Sequence, residues 1–161
     1  MAIIMALGEN QKSIQIMRIT TYDAYTRLSP MDVARLARFI HAHQDAPHTT
    51  KRAIGKAIEY SAKEIPGLGG YVFVLQEKEE ILGLMVVNKT GMGDYIPENF
   101  IAFLTIHREH LEAGFEQALM DYALQYCKGD IAIHIKTLGR NMEFLQRNGF
   151  ELTHMEMRLK R

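Results

Sequence analysis

A turn between a strand and a helix near the middle of the chain has the features of an anion-binding site. Residues Phe100 to Ile106 are apolar, form a short run and are bounded by polar residues, which predicts a buried strand. Beyond Gly114 the apolar residues recur at helical spacing as far as Tyr126, which predicts a helix. The first N–H groups of a helix have no intrahelical partner, and the helix dipole is positive at that end. The turn is therefore a candidate seat for a cofactor phosphate.

Two side chains in the surrounding segments could move a proton. Glu98 precedes the central strand, and His134 lies in the apolar stretch 130–135, which predicts another strand. We consider both as candidate acid or base groups, with Tyr95 as a further neighbour. The alternative for His134 is a hydrogen-bonded histidine on the face of the sheet.

The other histidines and the cysteine lack the spacing of a metal site. His41 and His43 are two residues apart, so a helix directs them to different sides. His107 and His110 have no cysteine or carboxylate at zinc-like spacing, and we predict no metal. Cys127 is the only cysteine, which excludes an intrachain disulfide and favours a reducing compartment. We expect a packed, inert thiol.

Composition and charge restrict the class of protein. The chain of 161 residues predicts one domain, and Lys plus Arg balance Asp plus Glu at 19 each. Zero net charge provides no basic surface for nucleic acid and mildly favours self-association. The apolar residues 1–7 are too few for a signal peptide or a membrane span. We therefore expect a cytoplasmic protein without nucleic-acid or membrane partners, with a flexible N-terminal tail over residues 1–13 and a single domain over residues 14–161.

The remaining pattern predicts strands and helices in one domain. Ser29 before Pro30 is a helix start, and Thr49 or Thr50 can cap a second helix. The predicted strands are 16–22, 71–75, 81–87, 100–106, 130–135 and 152–159, and the predicted helices run from 30 to about 41, from 50 towards Pro66, from 114 to 126 and from 140 to 147. The charged residues 77–80 join two strands as a hairpin. The expected fold is α/β (α+β), with a mixed central sheet of six to seven strands and helices on both faces.

Two segments resemble motifs of the GNAT superfamily of N-acetyltransferases. Residues 106–119, IHREHLEAGFEQAL, resemble the acyl-CoA motif, in which a strand runs into a turn of the form Arg/Gln-x-x-Gly-x-Gly/Ala. The turn here is Leu111 to Glu116, and it keeps Gly114. Residues 141–150, NMEFLQRNGF, resemble the closing motif and match at Phe144, Gly149 and Phe150. With the order of elements, the resemblance covers residues 70–159.

The resemblance implies an acetyl-CoA site and the residues that form it. In GNAT proteins the central strand binds the pantetheine arm through its backbone, and the turn holds the pyrophosphate through N–H groups. The corresponding residues here are Leu104, Thr105, Ile106, Leu111, Glu112, Ala113, Gly114, Phe115 and Glu116, with Asn141 in the last helix. Three glutamates against Arg108 give the stretch 104–118 a charge of −2, and carboxylates in a first helical turn also stabilise the helix.

The activity implied by the resemblance is acetyl-CoA-dependent transfer of an acetyl group to an amine of a small molecule or protein. The positions where relatives often carry a catalytic Glu and Tyr fall on Phe100 and Leu145. Glu98 and His134 are therefore the candidate catalytic residues. Lys51 begins a basic helix face that is either solvated or meets an acidic substrate. The family also allows a homodimer.

Two alternatives stay open at this point. A catalytically inactive GNAT-like ligand-binding or interaction module is indicated because Phe100, Leu111, Glu116 and Leu145 all depart from the family pattern. A different fold with an accidental motif match would lack parallel pairing between the strands at 101–106 and 131–135. The strand pairing in the structure separates this last alternative from the others.

Overall fold

The structure of the chain is a computed structural model. It describes residues 2–4, 16–44, 49–135 and 140–159. Within these residues there are six strands and four α-helices. The strands are β1 (Ala2–Ile4), β2 (Ile16–Tyr22), β3 (Gly70–Glu77), β4 (Glu80–Lys89), β5 (Asn99–Ile106) and β6 (Ile131–Ile133). The helices are α1 (Pro30–His43), α2 (Lys51–Ser61), α3 (Phe115–Tyr126) and α4 (Arg140–Arg147), and a short 3-10 helix (Arg108–His110) precedes α3. No helix among the described residues is both long enough and apolar enough to cross a bilayer.

The strands form one sheet in the order of the chain. Each of β1 to β5 pairs antiparallel with the next strand, and β5 pairs parallel with β6. A parallel neighbour requires a crossover connection, and α3 provides it. The mixed sheet and the parallel pair of β5 and β6 confirm the predicted fold class and exclude the alternative of an unrelated fold.

Two hydrophobic cores lie on opposite faces of the sheet. One core packs α1 and α2 against the sheet, with Ile40, Ile54 and Ile58 fully buried. The other core packs α3 and α4, with Phe115 and Leu119 at its centre. Because helices cover both faces of the sheet, nearly every residue of β3 and β4 is buried or half-buried.

Local signals in the sequence fix the starts of the first two helices. Ser29 caps α1 in a capping box, because its hydroxyl accepts from the Asp32 N–H and the Asp32 carboxylate accepts from the Ser29 N–H. Thr50 caps α2 by accepting from the Ala53 N–H. The end of α2 differs from the prediction, because the helix stops at Ser61 rather than near Pro66.

Both ends of the chain differ from the sequence-based expectation. The segment predicted as a flexible tail contains β1, whose backbone pairs with the outer edge of β2 from Ala2 opposite Arg18 to Ile4 opposite Ile16. The prediction is therefore wrong at residues 2–4, since an open sheet edge can bind even three extended residues. Residues 5–13 lie outside the described part of the chain. The strand predicted over residues 152–159 is also wrong, because residues 151–159 form no strand and are exposed.

A β-bulge changes the direction of side chains in β5. Val87 pairs with Ile101 and Val86 pairs with Phe103, so Ala102 has no partner in β4. A bulge disrupts the simple alternation of side chains between the two faces. Ala102 and Phe103 both contact the core of α1 and α2, whereas Leu104 contacts the core of α3 and α4. The bulge thus changes which face of the sheet the side chains of the second half of β5 point to. It lies next to the point where the pairing of β5 with β6 ends.

Candidate functional site

The pairing between β5 and β6 is short and leaves half of β5 with a partner on one side only. It joins Asn99 to Ile131 and ends where Ile101 faces Ile133. Residues 103–106 continue to pair with β4. In the described part of the chain, no strand pairs with the other edge of this half of β5. Its outward backbone groups can therefore bind an extended ligand in the way that a neighbouring strand would.

The N-terminus of α3 lies directly after this strand and has no side-chain cap. Gly114 is the N-cap residue, with φ of +78°, and it makes no capping hydrogen bond of its own. A positive φ is a conformation that glycine adopts without strain. A Cβ atom added at Gly114 would meet no atom within 4 Å, so the space beside this residue is open. These features make the helix start a site where an anion can approach the backbone.

All but one of the residues predicted to bind the cofactor lie in the segment that leads into this helix start. Thr105 and Ile106 are buried at the end of β5, and Leu104 is half-buried. Leu111, Glu112 and Ala113 form the turn before Gly114, Phe115 is buried at the start of α3, and Glu116 follows in its first turn. Asn141 lies in the first turn of α4, exposed to solvent. The predicted set therefore lies within the segment 104–116, apart from Asn141 in a second helix.

A row of aromatic and imidazole rings runs from α1 to the start of α3. Ring centroids are 4.7 Å apart for Phe39 and His43, 4.2 Å for His43 and His107, 5.2 Å for His107 and His110, and 5.8 Å for His110 and Phe115. We call these five rings the ring row. Because its members come from α1, the turn and α3, the ring row connects the candidate anion site with the opposite face of the sheet.

Arg108, which precedes the turn, is bound to the end of α1 through both its backbone and its side chain. The Arg108 N–H donates to Nδ1 of His43 at 3.2 Å, and the Arg108 guanidinium donates to the Gln44 carbonyl at 3.2 Å. Gln44 is the C-cap of α1, where a cation is favourable for the helix dipole. Burial lowers the pKa of His43 below 6.5, and the charges of His107 and Arg108 lower it further while Glu109 opposes them. The neutral imidazole is the form that accepts the Arg108 N–H.

His134 lies immediately after the last β6 residue that pairs with β5. Its ring contacts the edge of Phe100, with the ring centroids 4.6 Å apart. Its Nδ1 atom lies 3.1 Å from Oε2 of Glu156, and Arg158 Nε donates to the other Glu156 oxygen at 2.6 Å. His134 is therefore exposed beside the end of the strand pairing and bound to an anchored carboxylate. His134 was predicted as a candidate from the sequence, whereas Glu156 was not, because its position in the segment 152–159 carries no local signal of a contact with His134.

Glu98 has a different environment from His134. Its Oε2 atom accepts the Asp130 N–H at 2.7 Å, where the chain enters β6. The neighbouring Asn99 is buried, and its side chain donates to the Lys128 carbonyl at 2.7 Å. Both residues hold the loop before β6 against the start of β5. Glu98 thus lies at the paired end of the two strands, and the structure does not bring it together with the segment around Gly114.

Two amide side chains join α3 to the end of α4. Gln117 and Asn148 exchange hydrogen bonds of 2.7 Å and 3.1 Å, and Asn148 also donates to the Phe144 carbonyl. Gly149, with φ of +83°, then ends the helix, and the Phe150 N–H bonds back to the Leu145 carbonyl. The predicted Asn-Gly-Phe signal is therefore a helix end. The reciprocal amide pair was not predicted from the sequence, since its two residues are far apart in the chain.

Cys127 and the basic start of α2 have separate environments. Burial raises the pKa of Cys127 to about 11, which keeps the thiol protonated and agrees with the interpretation of an inert side chain.

Lys51 and Arg52 line an open groove of about 390 Å³ between α1 and α2, together with Arg38. Among residues 16–44, 49–135 and 140–159, no three His, Cys, Asp or Glu side chains are grouped closely enough to hold a metal ion.

The chain resembles solved structures in fold rather than in sequence. No protein-family model matches it, and no curated protein matches it. Ard1 from Thermoplasma volcanium is similar with a TM-score of 0.62 and 19% identity, over 84% of each chain. A GNAT-family acetyltransferase from Streptococcus pneumoniae has a TM-score of 0.62 and 17% identity over 90% of this chain and 99% of its own. A GCN5-related N-acetyltransferase from Ralstonia eutropha has a TM-score of 0.60 and 14% identity over 89% and 98%.

These similarities show that the chain has the GNAT fold. They agree with the strand order, the parallel pair of β5 and β6, and the open helix start after β5. The fold alone does not determine the reaction or the substrate, because one fold can host several functions. The function has to be argued from the residues around the site.

Proposed function

We propose that this protein is an acetyl-CoA-dependent N-acetyltransferase that acts on an amine of a small molecule or peptide in the cytoplasm. The observation that carries the proposal is the end of strand pairing at Ile101 and Ile133. It is directly followed by a β5 edge to which the described residues add no further strand, and then by the start of α3, where Gly114 provides no side-chain cap. An extended thioester ligand with a pyrophosphate group fits this arrangement, because its extended arm can bind the open strand edge and its pyrophosphate can bind at the helix start.

The residues present fit such a ligand. Residues 103–106 offer backbone groups along the open edge of β5, and Gly114 allows an oxygen to approach the first N–H groups of α3. Because these contacts are made by the backbone, they do not require the arginine that is absent at Leu111. Bound acetyl-CoA supplies an acetyl thioester, whose carbonyl carbon an amine nitrogen attacks while the sulfur leaves.

His134 is the residue we assign to the proton transfer. An amine must lose a proton to become the attacking group, and an imidazole is the side chain best suited to accept one near neutral pH. With Nδ1–H bound to Glu156, the Nε2 atom of His134 is the free acceptor. Glu156 is a positioning residue, since it fixes the tautomer and the orientation of the ring.

Calorimetric titration of the purified protein with acetyl-CoA and with free CoA tests the proposal. We expect saturable binding of both ligands, because the pantetheine and pyrophosphate groups are shared. A coupled thiol-release assay over a panel of primary amines then tests for transfer. Absence of acetyl-CoA binding at any attainable concentration would overturn the proposal.

A catalytically inactive binding module is the second candidate. It is favoured by Leu145, which is buried in the core of α4 where relatives often carry an acidic hydroxyl. It is also favoured by Phe100, whose ring is packed against His134. Binding of acetyl-CoA without release of thiol for any amine would support this candidate over the enzyme.

A further inference from the structure

The C-terminal segment 151–159 exposes a row of large apolar side chains. The exposed fractions of Met155, Met157 and Leu159 are 94%, 98% and 81%. These residues alternate with Glu156 and Arg158, which is the pattern of a strand with one apolar face. The described part of the chain pairs no strand with this segment. An exposed apolar face next to unpaired backbone groups is a surface for association.

The sequence of this segment is complementary to itself when reversed. If two copies align antiparallel with Met157 opposite Met157, then Glu156 lies opposite Arg158, and Met155 lies opposite Leu159. Residues that face each other in an antiparallel pair lie on the same face, so the apolar residues would meet one another and so would the opposite charges. A shift of one residue along one copy would instead place apolar side chains opposite charged ones.

We infer that residues 155–159 pair antiparallel with the same residues of a second copy of the chain, across a two-fold axis at Met157. A second copy fits better than another partner, because this register satisfies both the apolar and the charged face at once. The two copies use the same surface, as a closed two-fold interface requires. Glu156 can keep His134 on Oε2 and accept a partner arginine on Oε1, where Arg158 of its own chain now binds.

Charge exchange tests the proposed register by light scattering and sedimentation on the full chain. We expect the wild-type protein to be a dimer that dissociates on dilution. Arg158→Glu and Glu156→Arg should each weaken the dimer by at least about tenfold, because like charges then face each other. The double variant E156R/R158E should restore it. The matched control is Arg147→Glu, on an exposed position of α4, which should leave the dimer unchanged.

Disulfide formation in a Cys127→Ser background provides an independent test. Met157→Cys places the two thiols opposite each other, so oxidation should give a covalent dimer. Met155→Cys, which is equally exposed, places its thiols about 14 Å apart, four residues along the strand, and should not link. A monomer at all concentrations, a failure of the double charge variant to restore the dimer, or equal linking by both cysteine variants would overturn the inference.

Discussion

Nδ1 of His134 lies 3.1 Å from Oε2 of Glu156, and the second oxygen of this carboxylate is bound to Arg158. The imidazole belongs to the chain just after β6, and the carboxylate belongs to the C-terminal segment. A carboxylate that binds one ring nitrogen selects the tautomer in which the other nitrogen can accept a proton. This relationship connects the C-terminal segment with the candidate active site.

Substitutions at His134 and Glu156 should separate proton transfer from positioning. If the protein acetylates an amine, His134→Gln should reduce kcat by about 10²-fold or more, because general base catalysis contributes this much. Glu156→Gln should cost about tenfold and shift the pH profile of kcat, while KM for acetyl-CoA changes little. Steady-state kinetics across pH provide the measurement. His154→Gln, on an exposed neighbour, is the control, and equal losses in all three variants would argue against the assignment.

A carboxylate introduced at Gly114 should weaken acetyl-CoA binding through its charge. Both Gly114→Asp and Gly114→Asn place a short side chain at a residue with φ of +78°, which Asp and Asn tolerate better than other residues. A Cβ atom at this position meets no atom within 4 Å, which both variants share. If a phosphate occupies this space, the Asp variant should bind at least about tenfold more weakly than the isosteric Asn variant. Equal affinities in calorimetry would place the phosphate elsewhere.

The lowered pKa of His43 predicts loss of stability on mild acidification. The unfolded chain binds a proton at His43 near pH 6.5, whereas the folded protein resists protonation until a lower pH. Unfolding therefore takes up a proton in this interval, and the free energy of unfolding falls as the pH drops below 6.5. The contribution is fully present above that pH. Urea unfolding between about pH 8 and about pH 5 measures this slope.

His43→Phe is the variant that isolates this effect. Phenylalanine keeps a ring beside Phe39 and His107 but cannot titrate, so the difference in stability between the two pH values should be smaller than in the wild type. The variant also loses the acceptor for the Arg108 N–H, and its stability at high pH should be lower. An unchanged pH slope would assign the effect to the other histidines.

Two glycines in regular structure should respond in opposite directions to alanine. A Cβ at Gly70 would overlap the Val87 carbonyl in the adjacent strand, so Gly70→Ala should lower the free energy of unfolding by about 3 kcal/mol. A Cβ at Gly55 would lie 3.9 Å from Val33 Cγ1, an ordinary contact, so Gly55→Ala should raise stability by about 0.5–1 kcal/mol through helix propensity. Denaturant unfolding of both variants provides the comparison, and a stable Gly70→Ala protein would contradict the strand spacing.

The sequence by itself determined the features that depend on nearby residues. The cap at Ser29, and a second cap at Thr49 or Thr50, were predictable because a hydroxyl binds an N–H group only three residues away; the structure selects Thr50. The charged turn 77–80 indicated the hairpin of β3 and β4, and Gly114 indicated the turn into α3. The motif around that turn also gave the fold class, since the order of short-range elements leaves few topologies open.

Only the tertiary structure decided the features that depend on distant residues. The addition of β1 to the sheet, the bulge at Ala102 and the lack of a strand partner for 152–159 among the described residues depend on which edges are available after folding. The contact of His134 with Glu156 joins residues that no local pattern relates. Periodicity in the chain specifies which face of a strand is apolar, but it does not specify what covers that face. That choice is made by packing between segments far apart in sequence.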